Sequence, residues 1–87
     1  MPAVANRAVI LYGRPGCPLC DEAVLLLRTL EQRLGFTTRV VNIETDDALH
    51  KRFAFEIPVI EVDGVVIARA PIYPRTLEAE LGELFAP

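Results

Sequence analysis

Soft metal ligands are scarce in this 87-residue chain, which holds two cysteines, Cys17 and Cys20, and a single histidine, His50. A closed zinc site usually takes four ligands, so no metal site is expected within one chain; such a site would have to be shared across a dimer. Charge of one sign is not gathered into a block either. With 9 basic and 12 acidic residues the formal net charge is -3, which argues against a nucleic-acid or anionic-membrane surface. No segment approaches the roughly 20 apolar residues that span a bilayer, and Met1 to Arg7 lacks the basic start and apolar stretch of a secretory signal. The expected location is cytoplasmic, where a disulfide is more often transient and catalytic than structural. The expected partners are thiols or proteins, met by a monomer.

What is present is an efficient apolar core. A chain this small buries only roughly 60–65% of the surface its unfolded form exposes, but a hydrophobic content of 52% supplies a core without disulfide staples or metal. The two cysteines are therefore free for chemistry. One domain over 1–87 is expected, with residues 1–7 a flexible N-terminus.

Breakers divide the chain into alternating elements. Ala8-Val9-Ile10-Leu11-Tyr12 is a continuous apolar run stopped by Gly13, Pro15 and Gly16, as expected of a central strand buried on both faces. Leu19, Ala23, Leu26, Leu27, Leu30 and Leu34 then recur at helical spacing as a core stripe, and Gly35 can stop the helix. Thr37 to Ile43 reads as a second strand. Thr45-Asp46-Asp47 supplies capping chemistry for a short helix with Leu49 and Phe53 inward and His50 outward. A β-α-β start predicts two parallel strands with a right-handed crossover. After Pro58, Val59 to Val62 and Val65 to Ala68 flank Asp63-Gly64, a dipeptide suited to a two-residue hairpin turn. Leu77, Leu81, Leu84 and Phe85 predict a last amphipathic helix, weakened by Gly82. The order β-α-β-α-β-β-α, with a four-stranded mixed sheet flanked by helices, is an α/β, thioredoxin-like fold.

Both cysteines sit in one C-x-x-C between the first strand and the first helix, a context that favours redox chemistry over a metal fragment. At the N-cap, Cys17 meets unpaired N–H groups and the positive end of the helix dipole, and both favour a thiolate. Cys17 is the candidate nucleophile. Pro18 suits the first helical position, having no N–H to leave unpaired. Cys20, one turn on, is the candidate resolving thiol, attacking the Cys17 sulfur to release reduced substrate. Arg14 favours the Cys17 thiolate while Asp21 and Glu22 oppose it, so only a modest lowering of the thiol's pKa is expected.

Tyr12-Gly13-Arg14-Pro15-Gly16-Cys17-Pro18-Leu19-Cys20 resembles the active-site segment of dithiol glutaredoxins, where an aromatic and a basic residue also precede Cys-Pro-x-Cys. Ile57-Pro58-Val59 is similar to that family's segment around a cis-proline, and Val62-Asp63-Gly64 to the hairpin beyond it. The likeness runs from Ala8 onward and is closest to short bacterial glutaredoxin-like proteins. It implies dithiol-disulfide exchange with protein or small disulfides through Cys17 and Cys20. It further implies a substrate site of Tyr12, Arg14, Pro18, Leu19, Ile57 and Pro58, with the Ile57 backbone pairing with incoming peptide or glutathione. Without it, Ile57-Pro58 would read as trans, since only about 5–6% of such bonds in folded proteins are cis.

Duller readings stand beside these. Tyr12 suits packing, Arg14 a solvated loop, and Glu44, Asp46 and Asp47 a capping cluster. Where glutaredoxins carry a Gly-Gly pair and an aspartate for glutathione, this chain reads Ala68-Arg69-Ala70-Pro71, putting a positive charge near the tripeptide's amino group. Arg14 with Lys51 or Arg52 remains to hold a carboxylate. No tightly bound cofactor is expected, and either glutathione or a reductase is the electron source. A non-catalytic module holding a metal or iron-sulfur cluster, or a protein-interaction domain, is the alternative.

Overall fold

The computed structural model describes residues 7–85, and the elements follow the expected order: β1 Ala8–Gly13, α1 Pro18–Leu34, β2 Thr37–Asn42, α2 Asp47–Phe53, β3 Val59–Val62, β4 Val65–Arg69 and α3 Pro74–Phe85. Residues 1–6 of the expected flexible terminus lie outside the described residues. Arg7 lies within them and is anchored: its guanidinium bonds the Leu84 carbonyl at 2.8 Å and Asp63 at 2.6 Å, and lies over the Phe85 ring.

The strands form one sheet in the order β2-β1-β3-β4. β1 and β2 are parallel, joined by α1, while β1 with β3 and β3 with β4 are antiparallel. Asp63 (φ 52°) and Gly64 (φ 80°) both take the left-handed conformation that a tight hairpin needs, so Asp-Gly performs its expected task. β2 ends one residue earlier than the sequence suggests. Asn42 caps a short 3₁₀ turn, Ile43–Thr45, which carries Ile43 inward.

β1 is interior to the sheet but is not buried equally on both sides. Val9, Leu11 and Gly13 are buried, whereas Ala8, Ile10 and Tyr12 are partly covered. The reason is the unequal helices. α1 and α3 bring Leu27, Leu30, Leu77 and Leu81 onto Val9, Leu11, Ile60 and Val62, whereas the seven-residue α2 offers Phe53 to Ile43 and Val59 on the other face. Truncating the fully buried Leu27 to Ala costs about 2–5 kcal/mol for lost burial and residual cavity.

The core stripe of α1 is shorter than its periodicity implies. Ala23, Leu27 and Leu30 are buried, Leu26 and Leu34 pack at the margin, and Leu19 is 57% exposed in the first turn, beyond the reach of the sheet. Gly35 stops the helix at φ 80°, its N–H bonding the Glu31 carbonyl. Glu31 and Arg28 reach down to the edge strand β2: the carboxylate accepts from the Thr38 N–H at 2.6 Å, and the guanidinium donates to the Thr38 carbonyl at 3.2 Å. Side chains thus occupy backbone groups that an exposed edge would offer to another chain. In α3, Leu77 and Leu81 are buried while Leu84 is 40% exposed, and the helix continues through Gly82.

Candidate active site

The C-x-x-C is shaped by where β1 stops and α1 starts. After Gly13 the chain turns through Gly16 (φ 74°), and Cys17 takes an extended conformation as the N-cap of α1, with Pro18 at the first helical position. The Cys17 Sγ accepts from the Cys20 N–H at 3.2 Å, and the Cys17 carbonyl accepts from the Asp21 N–H at 3.0 Å. A sulfur that develops negative charge here meets a donor already in place.

Cys17 and Cys20 are joined as a disulfide, their Cα atoms 5.2 Å apart. Their surroundings differ: Cys17 is half-buried and Cys20 is 3% exposed. A reagent in solvent therefore reaches Cys17 first. Gly13 makes room behind the pair, because a Cβ there would stand 3.0 Å from the Cys20 Sγ and 3.2 Å from its Cβ. Read from sequence alone, Gly13 is only a strand breaker. Its place in the alternation with Val9 and Leu11, facing α1, is the signal of a close approach.

The Ile57-Pro58 bond is cis, as the resemblance implies; Ala70-Pro71 is also cis, which no sequence signal suggested. Pro58 and Pro71 border an open apolar cleft of about 220 Å³ with Leu19, Leu26 and Ile72, and Glu22 joins its lining. The Ile57 N–H is already paired within the chain. It donates to the Phe53 carbonyl at 3.1 Å, where the chain leaves α2. Glu56 ties the two proline segments together: its carbonyl accepts from the Ala70 N–H at 3.2 Å, and its carboxylate pairs with Arg69 at 2.6 Å. The Arg69 charge is engaged in that pair.

The structure separates the other expected binding residues. Tyr12 is absent from the lining of the cleft, because the strand alternation turns it away from α1. Its ring packs on Phe53 at 4.8 Å and its hydroxyl donates to Glu61 at 3.0 Å. Burial, then the bond to Glu61, raises the Tyr12 hydroxyl above the usual tyrosine pKa. Arg14 lines a different cleft, with Pro15, Asp21, Val40 and Cys20. Pro18 is exposed at the helix start. On α2, His50 faces outward as expected, Lys51 is exposed and Arg52 covers the Phe53 ring. Asp46 caps α2, accepting from the Ala48 and Leu49 N–H groups. Among the described residues, no three His, Cys, Asp or Glu side chains are grouped to hold a metal, and no helix is long and apolar enough to cross a membrane.

A cysteine pair joined at the N-terminus of α1, with a cis-proline just before β3 of a mixed four-stranded sheet, defines a thioredoxin-fold protein of redox type. Residues 8–85 match the Glutaredoxin-like domain (DUF836), and the chain belongs to that family. It is similar to a Nitrosomonas europaea protein solved by NMR, with 26% identity, a TM-score of 0.75, and coverage of 92% of this chain and 96% of that one. An X-ray structure of an X. campestris protein is 33% identical with a TM-score of 0.68, covering 91% and 99% of the two chains. Oxidised thioredoxin from Plasmodium falciparum, at 9% identity, a TM-score of 0.68 and coverage of 92% and 82%, shares the fold alone.

Proposed function

We propose that the protein is a small dithiol-disulfide oxidoreductase that passes two electrons to protein or low-molecular-weight disulfides. The observation that carries this reading is the asymmetry of the pair: Cys17 is accessible and capped by the Cys20 N–H, while Cys20 is buried behind it. In the reduced protein the Cys17 thiolate attacks one sulfur of a substrate disulfide, forming a mixed disulfide and expelling one thiolate. Cys20, after yielding its proton to solvent, attacks the Cys17 sulfur and expels the second. Both released thiolates take up protons, and the protein is left as the disulfide.

Glutathione or a reductase then restores the dithiol. No tightly bound cofactor takes part, and a monomer in the reducing cytoplasm suits the cycle. A coupled NADPH assay tests the reading by comparing glutathione plus its reductase with thioredoxin reductase as donor. Turnover with one of these, abolished in Cys17→Ser, supports it; activity with neither refutes it.

A further inference from the structure

We propose that Glu22 makes the cleft bordered by Leu19 of the C-x-x-C select disulfides carried on apolar, uncharged or basic polypeptide segments and disfavour anionic small disulfides such as glutathione disulfide. This rests on the oxidoreductase reading above. Glu22 lies just past the first turn of α1, and among the residues lining the cleft it alone carries charge. It makes no ion pair among the described residues, unlike Glu31, Glu56 and Glu78. Arg69 is held by Glu56, and Arg14 borders the other cleft.

Leu19, 57% exposed at the rim, and Pro58, Pro71 and Ile72 beyond it offer apolar contact to a side chain next to the substrate cysteine. Low-dielectric walls focus the field of the one carboxylate on whatever enters. A lysine or arginine near the substrate disulfide is attracted, whereas each glutathione unit, its two carboxylates offset by one ammonium, brings net negative charge against Glu22. The occupant this chemistry fits is therefore an extended segment of a protein substrate. Its reduction follows the balanced exchange already described, with two electrons leaving the Cys17-Cys20 dithiol.

The test is a single-turnover reaction of the full, pre-reduced protein with four disulfides. Two are peptide disulfides with Leu beside the cysteine, one bearing lysines and one glutamates; the third is glutathione disulfide. The fourth, 2-hydroxyethyl disulfide, is uncharged, and each protein's rates are divided by its own rate with that reference. The lysine peptide is expected to react faster than the glutamate peptide, and glutathione disulfide slowest, by about two- to threefold per unit charge. Glu22→Gln is expected to erase this order, Glu22→Lys to invert it, and 1 M salt to collapse it. A preference that survives in both variants, or glutathione disulfide matching the lysine peptide in the wild type, overturns the selection. Silence toward the uncharged disulfide as well overturns the oxidoreductase reading and the selection with it.

Discussion

Replacing Gly13 with alanine places one methyl group against the sulfur of the buried Cys20. The new Cβ stands 3.0 Å from the Cys20 Sγ, 3.2 Å from its Cβ and 3.3 Å from a Leu11 methyl, closer than side-chain carbons normally approach. The two cysteine atoms are bonded into a helix turn and the Leu11 side chain is buried, so none is the free end of a mobile side chain. The first turn of α1 must shift, and overpacking of this kind costs about 1–3 kcal/mol. For a domain of this size each kcal/mol lowers Tm by about 4–8 °C. The same substitution at Gly82 is the control. A Cβ there meets nothing within 4 Å, and Gly82 lies inside α3, so Gly82→Ala is expected to stabilise by about 0.4–1 kcal/mol. Thermal unfolding of the oxidised proteins reads both. Because Gly13→Ala also moves Cys20 relative to Cys17, quenched-flow trapping is expected to show a longer-lived mixed disulfide. A Gly13→Ala protein as stable as the wild type, with unchanged resolution of the mixed disulfide, would refute the close-approach argument.

Hydrogen bonding from Thr38 holds the Glu31 carboxyl below its ordinary pKa of 4.5, so its contribution to stability is present above that value and fades as pH falls below it. Glu31→Gln should therefore flatten the acid limb of a plot of Tm against pH, and an unchanged limb would show that another carboxylate governs it. Tyr12 contributes in the opposite direction: its raised pKa gives stability complete below 10.0 and lost as pH climbs through the folded value. Tyr12→Phe should cost about 0.5–1.5 kcal/mol in urea unfolding for the lost bond to Glu61 and leave exchange rates unchanged; a large drop in rate would return Tyr12 to the substrate site. Asp46→Ala removes the cap of α2 and should cost about 0.5–2 kcal/mol in the same measurement.

Local chemistry made much of this molecule readable in advance. The stop of α1 at Gly35, the Asp63-Gly64 turn and the cap at Asp46 each act within a few residues, and the structure places all three as expected. The place of Cys17 and Cys20 at the start of α1 was legible for the same reason, since a helix N-terminus is a local device. What depends on distant parts of the chain was not. Leu19 has the spacing of a core residue, yet it projects past the end of the sheet and forms the rim of the cleft. Arg14 and Pro58, grouped in one site by resemblance, line separate clefts. The bond from the Ile57 N–H to Phe53 arises from how the chain leaves α2, and the Glu56-Arg69 pair from how two proline segments meet. Neither leaves a pattern along the sequence.

The central claim is that Cys17 attacks and Cys20 resolves. Reduced Cys20→Ser and Cys17→Ser proteins, each mixed with a peptide disulfide, quenched in acid and mapped by mass spectrometry, test it most directly. A stable peptide adduct is expected on Cys17 in the first protein and little or none on the buried Cys20 in the second. An adduct that forms faster on Cys20, or none on either cysteine, would contradict it.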